Sequence, residues 1–393
     1  MLDLFGSFVD DATDDVCDNV ASVLSDAALF AVPTERRASI FWDLKSAVAA
    51  NRQLRFWCAP MVGASDLPFR LLVRERGCGI ASTQMFPANG FAVSADLVER
   101  AFDGVPGASD RPLVVQFSAN DARQLLRAAR TVEDRCDAVE LNLGCPQMCA
   151  KNGHYGAFLM DDIALVCDMV RTLAKHLSVP VLAKIRIFPE YERTLAYATA
   201  IVDAGASVLT VHARTREQKR SALFLADWNV IRRLVDDLGH RCAIVANGNV
   251  RSRADAERCL QATGAASVMS ASAILVNPAL FDESEVESES VLAHGVARNA
   301  SSIDKAIRYL ELVAQHGAPS ANVLYHLHHM VLPSVIRRSR RLHDTMQRLP
   351  SLRLCSPTLA AQMLEDLREA RQSWLEARRL RNKSEADDES DSG

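Results

Sequence analysis

No apolar run in this 393-residue chain approaches the ~18 residues that a membrane-crossing helix needs, and a stretch such as 179–187 is interrupted by Lys184 and Arg186. No partner membrane is expected. A surplus of one charge is also missing: 45 Lys and Arg stand against 49 Asp and Glu, so the net charge of -4 selects no partner by itself. Ten cysteines are present, at positions 17, 58, 78, 136, 145, 149, 167, 242, 259 and 355, yet no C-x-x-C pair and no matching histidine pair occur. A zinc site of ordinary spacing is therefore not expected, and most of these thiols read as reduced, small buried hydrophobes. The start lacks the features of a transit or secretory peptide, because Asp3, Asp10, Asp11, Asp14, Asp15 and Asp18 crowd it with acid. A cytoplasmic protein is expected, with the nucleus as the other compartment. What remains is ordinary soluble composition, 49% hydrophobic and 24% charged, at a length that fits one large domain and a smaller one.

Short β-rich runs recur at 55–59, 79–82, 113–117, 138–141, 181–185, 208–211, 243–246 and 267–269. Amphipathic stretches separate most of them, with Ser65 and Asn120 as helix openers and Gly77 and Gly205 as closers. Eight such units predict an α/β fold, a closed (β/α)8 TIM barrel. In such barrels chemistry sits where strands end. The strand ends here carry Pro60 and Met61, Gln116, Asn142, Lys184, His212, then Asn247 and Gly248, which places a polar ligand on that face. The resulting domain plan is an acidic N-terminal extension at 1–50, the barrel at 51–283, a C-terminal helical domain at 284–381 and a disordered acidic tail at 382–393. The first stretch of the helical region, 282–290, is rich in Glu and Ser and reads as a linker.

The segment from Glu140 through Asn142, Gly144, Cys145 and Pro146 to the glycine-rich Gly153, His154, Tyr155, Gly156 and Ala157 follows a strand directly. Gly144 permits a tight turn, and Pro146 fixes its own φ while holding Cys145 extended. The thiol is thereby presented on a stiff loop, as a positioned acid or simply as a packed side chain. This segment resembles the tRNA-dihydrouridine synthase family, whose mark is N-x-G-C-P followed by a glycine-rich loop; the likeness spans roughly 56–281. Within the family it is most similar to the eukaryotic branch that acts at positions 16 and 17 of the tRNA D-loop. Asn142 to Met148, Gly153 to Leu159, Lys184 to Pro189 and Asn277 to Phe281 carry that finer likeness.

The resemblance implies FMN at the barrel mouth, reduced by NADPH or NADH, and hydride transfer to C6 of uracil with Cys145 as the proton donor to C5. It also maps cofactor contacts onto Pro60, Met61, Val62, Gln116, Lys184, His212, Asn247, Gly248, Asn249, Ala271 and Ser272. Asn142 and Arg214 become candidates for the tRNA substrate. The chain departs from the family pattern after its eighth run, where Ser270, Ala271 and Ser272 replace a Gly-Arg pair, and in 218–227, which lacks a glycine before Ala226, Asp227 and Trp228. In the helical region, Tyr325 to Met330 followed by Arg337, Arg338, Arg340 and Arg341 forms a basic stretch suited to an RNA backbone. Two other readings stay open: a flavin reductase of a free pyrimidine or enone, and an RNA-binding protein whose barrel has lost its flavin.

Overall fold

The computed structural model describes residues 25–104, 109–219, 224–284, 291–292, 295–296, 300–331 and 333–391. The chain forms two compact units: Met1–Ser65 with Gly77–Ala271, and Asp66–Arg76 with Ser272–Gly393.

The first unit is a closed barrel of eight parallel strands: β1 Phe56–Cys58, β2 Ile80–Pro87, β3 Leu113–Ser118, β4 Ala138–Leu143, β5 Val181–Ile187, β6 Val208–Thr215, β7 Ala243–Asn247 and β8 Ser267–Ser270. All eight expected strands are present, and β1 meets β8 in the register Phe56 with Val268, Trp57 with Met269 and Cys58 with Ser270. Alternation along the strands sorts the interior into layers. Near the strand starts Val114, Ala138, Leu182, Val208 and Ala243 share one apolar cluster with Trp57, Ile80 and Met269. Two residues further on, the same side of β3 to β6 carries Gln116, Glu140, Lys184 and Thr210. An apolar layer therefore underlies a polar one.

Residues counted at sequence level as an extension close the N-terminal end of the barrel. Phe41, Leu44 and Val48 join the apolar cluster, with the Phe41 and Trp57 rings 5.5 Å apart. Asp43 holds the helix Leu44–Ala50 by accepting the Ser46 N–H at 3.1 Å. Residues 1–24, which include the acidic cluster, lie outside the described residues. Helix openings fall one residue later than expected: Asp66 accepts the Phe69 N–H at 2.9 Å and Asp121 the Gln124 N–H at 2.7 Å. A carboxylate is an equally good cap and also meets the positive end of the helix dipole. Gly205, at φ +115°, does end the helix Tyr191–Asp203.

The second unit is helical, built mainly from Leu67–Glu75, Ala300–His316, Ser320–Met330, Arg340–Arg348 and Pro357–Asp391. Within it Arg308 forks onto both carboxylate oxygens of Glu75, at 2.9 and 2.7 Å. A two-residue antiparallel pairing of Ala318–Pro319 with Leu354–Cys355 was not expected from the sequence, being too short to show any alternation. The backbone of the last helix continues to Asp391, where the composition suggested disorder; Lys383, Glu385 and Ala386 are good helix formers, and propagation adds one bond per residue fixed. Most of the linker expected at 282–290 lies outside the described residues.

Candidate active site at the barrel mouth

Cys145 follows β4 and is half-buried. Two backbone N–H groups of its loop, on Gly144 and Cys145, donate to Asn142 Oδ1 at 3.1 and 3.0 Å. On the far side the Cys145 carbonyl accepts the Ala157 N–H at 3.0 Å. Gly156, at φ +65°, lies so close that a Cβ there would stand 2.8 Å from that carbonyl oxygen. Only glycine fits this contact. Arg186 braces the loop from β5, its Nε donating to the Gly144 carbonyl at 2.8 Å while Nη1 reaches the Thr215 carbonyl at 2.8 Å. Burial pushes the Cys145 thiol above its ordinary value, outweighing the pull of Arg186 and Lys184. The thiol is therefore protonated at neutral pH.

Beneath the cysteine loop lies the polar layer. Gln116 Nε2 donates to Glu140 Oε2 at 2.6 Å, and Thr210 Oγ1 donates to Glu140 Oε1 at 3.4 Å. Asn142 Nδ2 donates to Gln116 Oε1 at 2.8 Å, and Lys184 Nζ to Asn247 Oδ1 at 3.1 Å. Burial pushes the Glu140 carboxyl up to about 7, against the opposing pull of Lys184. Burial also draws the Lys184 ammonium down to about 8 and the Arg186 guanidinium down to about 10.

Arg214 donates Nη1 to His212 Nε2 at 2.7 Å and Nη2 to Asn249 Oδ1 at 2.7 Å. A guanidinium cannot accept, so His212 Nε2 is the unprotonated nitrogen and the ring is neutral with its proton on Nδ1. Burial, then the charges of Lys184, Arg186 and Arg214, lower His212 well below its ordinary value, in agreement with a neutral ring. Asn249, at φ +62°, also accepts the Ala226 N–H and donates to the Ala226 carbonyl, both at 3.1 Å. Trp228 Nε1 donates to the Gly248 carbonyl at 3.0 Å, so the segment after β6 is sewn to the end of β7.

Seven of the sequence-predicted barrel residues fall into three hydrogen-bonded groups: Gln116 with Asn142 and with Glu140, Lys184 with Asn247, and His212 with Arg214 and Asn249. Pro60 and Met61 are half-buried after β1, and Val62 is exposed at 40%. Ala271 follows β8 half-buried; Ser272 is exposed and opens a five-residue helix of the second unit, Ser272–Val276. Arg214 and Asn142, expected to face a substrate, direct part of their N–H groups into the wall: Arg214 Nε to the Phe224 carbonyl at 2.8 Å and its Nη1 and Nη2 to His212 and Asn249, and Asn142 Nδ2 to Gln116. Glu140, Thr210 and Arg186 were given no role from the sequence. Counting two residues back from Asn142, and two on from Lys184, along the alternation would have found the first and third.

The layer suits an anionic, hydrogen-bonding ligand. Lys184, Arg186 and Arg214 all lie close enough to add to the effect of burial on His212, while the buried acid beside Lys184 is Glu140; Glu217 is exposed. Large apolar side chains stay exposed in the segments that follow several strands of the same barrel, namely Val62, Met148, Phe224 and Leu225 at 40%, 61%, 41% and 72%. Exposed apolar groups beside a cationic, amide-rich layer are what a flat heterocycle with an acidic edge or a phosphate requires.

In the second unit, Arg337, Arg338, Arg340 and Arg341 are all exposed, and Arg340 faces Asp344 at 3.7 Å. Arg337 borders a cleft of about 300 Å³ with Leu324, His328, His343 and Met346. The neighbouring run from Tyr325 to Met330 is not a solvated face. His326 is fully buried, stacked on Phe69 at 4.4 Å and 3.6 Å from Asp66, while Leu327 and Met330 are core. Helical spacing turns those residues inward and leaves His328 outside.

The family model described as dihydrouridine synthase (Dus) matches residues 57–360. A tRNA-dihydrouridine(16/17) synthase of Saccharomyces cerevisiae is 46% identical over 259 residues, covering 65% of this chain and 60% of that protein. The corresponding synthase-like protein of Mus musculus is 42% identical over 269 residues, covering 68% and 53%. That of Schizosaccharomyces pombe is 43% identical over 223 residues, covering 57% and 56%. The matches span between about half and three fifths of the length of these curated relatives.

Proposed function

Because the chain belongs to the dihydrouridine synthase family, we propose that it reduces the C5–C6 bond of uridine in the D-loop of tRNA, with FMN at the barrel mouth and NADPH or NADH as reductant. The uridines at positions 16 and 17 are the proposed targets, following the names of the relatives. FMN, when bound, supplies hydride to C6 of the pyrimidine. Everything else falls to the protein.

Lys184 provides positive charge for the ring's acidic edge, Gln116 and Asn142 provide amide groups, and the neutral His212 offers Nδ1–H. Addition at C6 places negative charge on C5 and O4, so a proton donor beside C5 lowers the barrier. The observation that carries this reading is Cys145: a thiol half-buried on a braced loop, with burial keeping its proton on. The exposed arginines of the second unit would hold RNA phosphates while the target base leaves its stack.

The test is Cys145→Ala, assayed with tRNA lacking dihydrouridine and mass spectrometry of the product nucleosides. The variant should keep the visible flavin band and NADPH oxidation, yet form dihydrouridine at least ~100-fold more slowly in a single turnover. Equal rates for variant and wild type would remove Cys145 from the mechanism. A wild-type protein that is colourless and inactive but binds tRNA would favour an RNA-binding barrel without flavin, the reading that the Ser270, Ala271 and Ser272 departure supports.

A further inference from the structure

We propose that Glu140 is a positioning residue for the Cys145 loop, acting as the terminal acceptor of a relay of side-chain amides. The inference rests on the reading of Cys145 as the proton donor, and it concerns a residue that touches neither Cys145 nor the mouth. Glu140 is fully buried in β4, two residues before Asn142. Its Oε2 accepts Gln116 Nε2 at 2.6 Å. That bond turns Gln116 Oε1 toward Asn142, whose Nδ2 it accepts at 2.8 Å. Asn142 Oδ1 is then left to accept the Gly144 and Cys145 N–H groups at 3.1 and 3.0 Å.

A primary amide has one accepting and one donating end, so the orientation of each member fixes that of the next. Were Gln116 to flip, two NH₂ groups would face each other at 2.8 Å, and Asn142 could relieve the clash only by turning its own NH₂ toward two backbone N–H donors. Glu140 prevents the flip, since a carboxyl presents an accepting oxygen to Gln116 whether or not it is ionised. Thr210 Oγ1 donates to the other oxygen at 3.4 Å. In a buried chain of this kind a group left without its partner disturbs its neighbours as well.

The relay makes an acceptor, and not a charge, the property that matters. Glu140→Met removes the acceptor at nearly constant volume, whereas Glu140→Gln keeps an accepting oxygen for Gln116 and can donate to Thr210. Two readouts are needed on full-length protein. The first is the rate at which iodoacetamide alkylates Cys145, followed by peptide mass spectrometry, which requires no turnover. The second is kcat and KM for tRNA reduction.

The Met variant should change the alkylation rate at least about fivefold and lower kcat about tenfold with KM for tRNA within about twofold. The Gln variant should return both toward wild type. Circular dichroism identifies a Met variant that fails to fold; the Gln variant then decides alone. Met and wild-type proteins that alkylate at the same rate would overturn the relay, and so would a Gln variant as impaired as Met, which would assign Glu140 to charge compensation of Lys184. A wild-type enzyme that makes no dihydrouridine would overturn the proposed function while leaving the alkylation comparison intact.

Discussion

Gly156 offers a sharp test of how tightly the cysteine loop is held, because a second glycine supplies a matched control. Gly156 and Gly264 have nearly the same positive φ, +65° and +67°. Alanine at either costs about 1 to 2 kcal/mol for the left-handed conformation. Their surroundings differ. A Cβ on Gly264 would meet Val235 Cγ1 at 3.5 Å, an ordinary contact. One on Gly156 would lie 2.8 Å from the Cys145 carbonyl oxygen, 3.0 Å from its Cβ and 3.2 Å from its nitrogen. Relieving that requires the Cys145 backbone to retreat by about half an ångström, which weakens the Ala157 and Asn142 bonds on either side. Both variants should therefore melt roughly 2 to 8 °C lower. Only Gly156→Ala should also lose about 10 to 100-fold in kcat for dihydrouridine formation, with flavin content unchanged, since a displacement approaching 1 Å costs up to ~100-fold. Differential scanning fluorimetry and single-turnover assays on both proteins decide it. Equal activity in the two variants would show that the Cys145 position is not set by Gly156.

The Lys184 ammonium, brought down to about 8 by burial, is charged below that pH and neutral above it. FMN affinity measured by fluorescence quenching should therefore fall as pH rises from about 7 to 9, and Lys184→Met should abolish the transition; a pH-independent wild type would count against the charge role. Replacing Arg337, Arg338, Arg340 and Arg341 by Ala should weaken tRNA binding with little sequence preference and reduce the slope of log K against log salt by about 3 to 4, leaving flavin content unchanged. An unaltered slope would return these residues to the solvated surface.

The barrel was legible because most strands are short runs rich in β-branched and other apolar residues, and several of the helices between them carry a capping side chain or a closing glycine, signals that lie within a few residues of one another. The motif around Cys145 was legible for the same reason: Asn142, Gly144 and Pro146 act on their immediate neighbours. What stayed hidden depends on pairings distant in the chain. Nothing near Glu140 says that Gln116 and Thr210 will meet it, and nothing near Arg186 says that it will reach the carbonyls of Gly144 and Thr215. Phe41, Leu44 and Val48 were assigned to an extension because they precede the first strand; only closure of the barrel gives them an apolar layer to cover. The histidines at 326 and 328 show the limit of composition, since the helix sends one to the core and the other to solvent.

The two layers of the barrel interior carry opposite energetic signs. The floor, from Phe41 to Met269, gains by removing apolar surface from water. The layer above holds an acid and a lysine whose burial each disfavours the charged form, with Arg186 and Arg214 adding like charge that depresses Arg186 and His212 further. Such an arrangement lowers the stability of the empty protein, because desolvated charges are not fully compensated by one another. An anion bound among Lys184, Arg186 and Arg214 would remove part of that repulsion, and whatever binds only the folded state stabilises it by mass action. The surplus of positive charge at the mouth is therefore a reserve of ligand-binding free energy, held by strands whose opposite ends are anchored in the apolar floor.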